Sequence, residues 1–151
     1  MTSPVRKSVS PSVPPSVLDG IPDGLPELER ARRLKDHAAR IGFDWTGPEG
    51  PLDKFAEEIV EMRQAVQSGD RAQILDELGD LFLVLTILAR TLGIESRDAL
   101  RHACDKFERR FRAMEIILRD VPPEGPTTWS LAQREAAWKT VKIREKQVES
   151  N

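Results

Sequence analysis

Residues 81–88 read LFLVLTIL, with Thr86 the one polar interruption. A helix built from this run is apolar around its whole circumference rather than along one stripe, so it needs partners on several sides. The run is far below the roughly 20 residues that a bilayer span requires. The chain is therefore expected to form a helical bundle with no membrane span. One copy of the chain surrounds such a helix only partly, and a homo-oligomer, dimer or tetramer, is expected to bury the remaining face. The alternative is a central helix wrapped by the others.

The surrounding sequence supports an all-α reading, because it repeats with helical period and shows no convincing strand alternation. Glycine, proline and capping residues divide it into five predicted helices, over about 26–41, 52–67, 71–92, 96–120 and 131–146. Asp70 with Gln73 and Ser130 with Gln133 have the spacing of capping boxes, and Ser96 is a candidate cap for the fourth helix. Residues 42–51, GFDWTGPEGP, read as a Gly/Pro loop carrying Phe43 and Trp45. These two rings are candidates either to stack on a base or to plug the end of the bundle.

The 151 residues suit one domain, expected over 25–148 as an antiparallel helix bundle completed by oligomerisation. Residues 1–24, rich in Pro and Ser and without the apolar segment of a secretory signal, are expected to form a disordered tail. A formal charge of −2 offers no global attraction for nucleic acid. Cys104 is the only cysteine, which excludes an intrachain disulfide and a multi-cysteine zinc site and suits a reducing cytoplasm.

Against this background the acidic residues within apolar helices demand a reason. Glu58 and Glu61 are three apart, as are Glu77 and Asp80, so each pair occupies neighbouring positions on one helix face. The two pairs lie at equal sequence distance on either side of Gly69. An antiparallel hairpin turning there brings them to the same height. Stepping about 100° per residue from Ile74 draws a core stripe through Leu78, Leu81, Leu85 and Leu88, with Glu77 on its flank and Asp76 pointing away. Acidic pairs at this spacing also decorate solvated helix faces. Four inward carboxylates would repel one another unless a cation neutralised them, and a hard divalent ion with oxygen ligands does so. His37 and His102 do not complete the Glu-x-x-His pattern of a di-iron bundle, so Mg²⁺ or Mn²⁺ is favoured over iron.

Basic residues supply the complement. In DKFERRF, residues 105–111, Phe107 and Phe111 fall in a helical stripe with Met114 and Leu118, read as core. Lys106 and Arg110, four apart along its margin, can grip two oxygens of a phosphate chain, while Arg109 and Arg112 turn outward. Trp138 and Lys142 are again four apart, and Lys54 precedes Glu58 by one turn. Singly, such side chains more often snorkel or form salt bridges. Beside a carboxylate-bound metal they describe a polyphosphate site.

The stretches ARRLKDHAARIGFDW, KFAEEIVE, DELGDLFL, LARTLGI, DKFERRF and AAWKTVK together resemble the MazG family of nucleoside triphosphate pyrophosphohydrolases over about residues 28–145. The family hallmark, EExxE followed after a spacer by ExxD, is met by Glu57, Glu58, Glu61, Glu77 and Asp80. The resemblance implies an all-helical oligomer that uses Mg²⁺ to cut nucleoside triphosphates into monophosphate and pyrophosphate. It implies metal binding by Glu58, Glu61, Glu77 and Asp80, and roles in substrate binding or activity for Lys54, Lys106, Arg110, Trp138 and Lys142. Glu57, the first acid of the motif, is assigned to water activation or to support of the ligands. Relatives often carry Asn where this chain has Cys104, which bears on nucleotide preference. Helical projection puts Cys104 on the core side.

The chemistry implied is metal-assisted attack of water on the α-phosphorus, with basic side chains stabilising the leaving pyrophosphate. A related helical enzyme acting on dUTP, dCTP or phosphoribosyl-ATP would use a similar acidic motif. KFERRF and the Trp138–Lys142 pair favour MazG over these. A non-enzymatic oligomerisation module predicts neither a metal site nor turnover, and leaves inward carboxylates without a neutralising partner.

Overall fold

The computed structural model of the chain describes residues 15–123 and 128–149. Five α-helices account for its regular structure, and there is no strand among the described residues: α1 (Glu27–Ala39), α2 (Glu49–Ser68), α3 (Arg71–Thr91), α4 (Ser96–Arg119) and α5 (Leu131–Glu149). No helix among them is long and apolar enough to cross a membrane. The helices group into two compact units, one ending at Ile94 and the other beginning at Glu95. Residues 1–14, most of the expected tail, lie outside the described residues.

The first unit is built on the hairpin of α2 and α3. Gly69 ends α2 at φ 71°, a left-handed conformation that costs glycine little, and its N–H reaches back to Ala65 and Val66. Asp70 follows at once as the N-cap of α3, its carboxylate accepting from Ala72 N at 2.9 Å and Gln73 N at 3.4 Å. The expected box does not close through Gln73. Ser68 takes that place, its hydroxyl accepting from Asp70 N at 3.1 Å and donating to Gln73 Oε1 at 3.2 Å.

Helix α2 begins at Glu49, three residues earlier than the expected start at Leu52. Pro51 falls within the first turn, where its missing N–H has no intrahelical partner to lose. Gly50 is required there for another reason: a Cβ on it would overlap the Trp45 ring. The 42–48 segment is thus folded against the start of α2.

Helix α1 packs on α3. Arg90, near the end of α3, donates to Asp36 of α1 and to Asp44 of the loop, at 2.6 Å each. Desolvation raises the Asp44 pKa, but the hydrogen bond and charge of Arg90 outweigh it and leave the carboxyl lowered. Thr86, the polar residue within the apolar run, is buried and donates its hydroxyl to Phe82 O at 3.0 Å, so its burial leaves no unmet donor.

The covered side of α3 differs from the projected stripe. Ile74, Glu77, Leu81, Val84 and Leu88, spaced three and four apart, are half-buried or buried, whereas Leu75, Leu78, Phe82 and Leu85, one residue along, are exposed at 73%, 41%, 58% and 45%. A two-sided apolar helix permits either seam to face its neighbour. Projection from Ile74 alone placed Leu78 and Leu85 on the wrong one.

In the second unit α4 pairs with α5. Met114, Leu118, Ala137 and Val141 form its core, flanked by Ala113, Ile117, Trp129 and Trp138. Trp129 donates its indole N–H to Val121 O at 2.9 Å, closing the inter-helix connection. Ser130 and Gln133 form the expected reciprocal capping box of α5, through Ser130 N to Gln133 Oε1 at 2.9 Å and Gln133 N to Ser130 Oγ at 3.2 Å. The N-cap of α4 is Glu95, with Ser96 as first helical residue.

Phe107 and Phe111 are exposed, at 58% and 41%, rather than core, and Cys104 is exposed rather than core-facing. Glu145 meets Arg109 and Arg110, while the apolar core shared by α4 and α5 is confined to Met114, Leu118, Ala137 and Val141. Phe107 still contacts Phe111 and Trp138, at centroid distances of 5.8 and 5.6 Å.

Asp70→Ala removes the N-cap acceptor of α3 and is expected to cost about 1 kcal/mol, read from urea unfolding followed by far-UV circular dichroism. No change in midpoint would contradict the capping role.

Candidate metal centre

The α2–α3 hairpin turns at Gly69, so residues equidistant from it on the two helices lie opposite one another. Glu58 and Asp80 are each eleven positions from this turn. Glu58, Glu77 and Asp80 each offer a carboxylate oxygen to a group whose atoms all lie within 4.8 Å of one another. Glu58 is buried, at 2% exposure, Glu77 half-buried and Asp80 exposed, so the cluster runs from the helix interface out to solvent. Glu61 is half-buried and outside this group of three, but its charge acts on Glu77.

One oxygen of Glu58 marks the site. Oε1 is paired with Lys54 Nζ at 2.8 Å, one turn back on α2, while Oε2 is buried without a hydrogen-bond partner among the described residues. An unpaired carboxylate oxygen in such a place is costly. A divalent cation liganded by oxygen satisfies it, and the all-carboxylate donor set suits a hard ion. The residues present therefore fit a metal ion.

The same Lys54 ammonium donates to Glu57 Oε1 at 2.6 Å. The hydrogen bonds to Glu57 and then Glu58 push the Lys54 pKa upward, so it stays charged throughout the physiological range. Glu57 itself is exposed. Desolvation raises the Glu77 pKa, and the charges of Glu61, Glu58 and Asp80, together with the close approach of its carboxyl to that of Glu58, push it the same way.

The expected substrate residues Lys106, Arg110, Trp138 and Lys142 belong to the second unit. Lys106 and Arg110 are half-buried on α4; Trp138 is half-buried and Lys142 exposed on α5. Arg110 donates to Glu145 Oε2 at 2.6 Å, and Arg109 donates to Oε1 of the same carboxylate at 2.9 Å. Hydrogen bonds from Arg110 and then Arg109 hold the Glu145 pKa below its usual value. Sequence reasoning passed over Glu145. The signal was its place one turn beyond Lys142, in register with the α4 arginines in an antiparallel pair.

Lys35 was also missed. It is buried, and its ammonium lies 4.7 Å from the Phe43 ring centroid and 5.2 Å from that of Trp45. The two rings are thus partners of a cation, which gives the loop aromatics a role distinct from both base stacking and plugging.

Glu77→Gln is expected to stabilise the metal-free protein at neutral pH, raising its urea midpoint in the presence of EDTA. A folded-state pKa raised above the unfolded value means that stability is fully present below the unfolded pKa and is lost as pH rises through the folded one. The gain from Gln should therefore vanish as the medium is acidified until Glu77 is protonated in both states. A variant equally stable to wild type at neutral pH would contradict the repulsion described.

Residues 47–114 match the family model of the MazG nucleotide pyrophosphohydrolase domain. The chain is 42% identical over 122 residues to the nucleoside triphosphate pyrophosphohydrolase of Escherichia coli K12, covering 78% of this chain and 45% of that protein. It is 36% identical over 104 residues to the nucleoside triphosphate pyrophosphohydrolase/pyrophosphatase MazG of Thermotoga maritima, covering 64% of this chain and 40% of that one. The chain thus spans less than half the length of these relatives. The matched segment contains the whole α2–α3 acidic hairpin and the KFERRF stretch of α4, and it is through these elements that the chain is similar to the MazG domain.

Proposed function

We propose that the chain hydrolyses nucleoside triphosphates to nucleoside monophosphate and pyrophosphate in a Mg²⁺-dependent reaction, with Mn²⁺ as a possible substitute. The observation that carries this reading is the buried, unpartnered Oε2 of Glu58 beside Glu77 and Asp80. The pyrophosphohydrolase activity for which the relatives are named supports it. Such an activity suits sanitation of the nucleotide pool in the cytoplasm.

Glu58, Glu77 and Asp80 would hold the cation, with Glu61 completing the acidic set at its edge. A bound divalent ion supplies neutralisation of phosphate oxygens and acidification of water. Glu57, exposed and paired with Lys54, would accept the proton of the attacking water or support the ligands. The water oxygen bonds to the α-phosphorus, the bond from that phosphorus to the bridging oxygen breaks, and pyrophosphate leaves. Lys106, Arg110 and Lys142 bind the phosphates as point charges and donors, and Trp138 offers a ring to the nucleoside. Arg110 engages a phosphate in exchange for Glu145.

The exposed seam of Leu75, Leu78, Phe82 and Leu85 supports assembly as a homodimer or homotetramer. Four large apolar side chains in line are a poor surface for an isolated protein in water.

Incubation with each common NTP and dNTP, with and without Mg²⁺, followed by ³¹P NMR of the products, tests the reaction. Monophosphate and pyrophosphate formed only with metal are expected. Diphosphate and orthophosphate, or metal-independent turnover, would overturn the reading. Glu58→Gln and Glu61→Gln are each expected to lower turnover by about 100-fold or more while helical content is retained. Undiminished activity of the Glu58 variant would remove that residue from the site.

A further inference from the structure

The two oxygens of Glu58 are held differently. Oε1 carries the Lys54 ammonium at 2.8 Å, and Oε2, buried, has no partner among the described residues. Lys54 is itself braced, because the same ammonium donates to Glu57 at 2.6 Å. All three residues lie within one turn of α2, so the arrangement is set by a single helix. The Glu58 side chain is only 3% exposed and Lys54 36%, so the pair runs from the helix interface, where Glu58 is held, out to the lysine at the surface. A cation approaching from the side of Glu77 and Asp80 therefore meets a carboxylate with one oxygen already engaged.

That matters because divalent ions use carboxylates differently. Ca²⁺ accepts bidentate carboxylates in flexible shells at roughly 2.3–2.6 Å, whereas Mg²⁺ demands a near-ideal octahedron at roughly 2.0–2.1 Å and takes carboxylate oxygens singly. We propose that Lys54 is a positioning residue that confines Glu58 to one-oxygen ligation and so biases the site towards an ion of the size of Mg²⁺ over Ca²⁺. This deepens the metal-site reading above and rests on it. It also separates Lys54 from the substrate: its effect is exerted through Glu58 and is present before any nucleotide binds.

The test is titration calorimetry of the nucleotide-free protein with Mg²⁺ and with Ca²⁺, on wild type and on Lys54→Met, with helical content checked by circular dichroism. Met keeps the aliphatic stem and removes the ammonium. Freed of its partner, Glu58 can offer both oxygens, and the ratio of Ca²⁺ to Mg²⁺ affinity is expected to rise by about tenfold or more. Removal of a nearby positive charge alone would strengthen both ions by the same factor. An unchanged ratio would therefore overturn the proposal while leaving the metal site in place. Wild-type protein that binds neither ion would overturn the metal-site reading and the proposal together.

Discussion

A carboxylate taken out of water within a helical hairpin is the constraint on which the rest depends. Glu58 is almost fully buried, and among the described residues its charge is met on one side only, through Lys54. Glu77 and Asp80 on the facing helix add further negative charge rather than relief. Such a cluster opposes folding unless something positive joins it. The apolar seam of α3 and the turn at Gly69 bring the acids to one height, and Arg90 fastens α1 and the loop to the same helix. Packing in the first unit thus supports a site whose own electrostatics work against it, as expected where function rather than stability has selected the residues.

Much of this arrangement was legible in the residues. Three-residue spacing of acids about a Gly-Asp turn determines height and face once both flanks are helical, and Glu58, Glu77 and Asp80 do converge. What spacing could not reveal was depth. It put all four acids on one footing, whereas Glu58 is buried, Glu61 and Glu77 are half-buried and Asp80 is exposed. Depth depends on which neighbour covers which side of a helix, information that no single helix carries.

The same limit explains the other differences. Leu78 and Leu85 lie on a seam that is apolar but uncovered, because α3 offers two parallel seams and one hairpin partner. Phe107, Phe111 and Cys104 look inward on a helical wheel yet are exposed, because the core that α5 shares with α4 is confined to Met114, Leu118, Ala137 and Val141. Periodicity identifies the apolar face of a helix and says nothing of how much of that face a partner covers. Local chemistry fared better: the Ser130–Gln133 box formed as its spacing suggests, and at Asp70 the cap formed with Ser68 in place of Gln73. Lys35 beside Phe43 and Trp45 was beyond such reading, since one more basic residue in a helix rich in charge gives no sign that two loop rings will lie against it.

The most direct test of the account is a crystal structure of the protein grown or soaked with Mn²⁺, with anomalous differences collected at the manganese edge. A peak is expected within ligand distance of Glu58, Glu77 and Asp80, with Glu58 contributing the oxygen that Lys54 does not hold. Well-occupied manganese elsewhere on the molecule, with no peak at these three carboxylates, would contradict it.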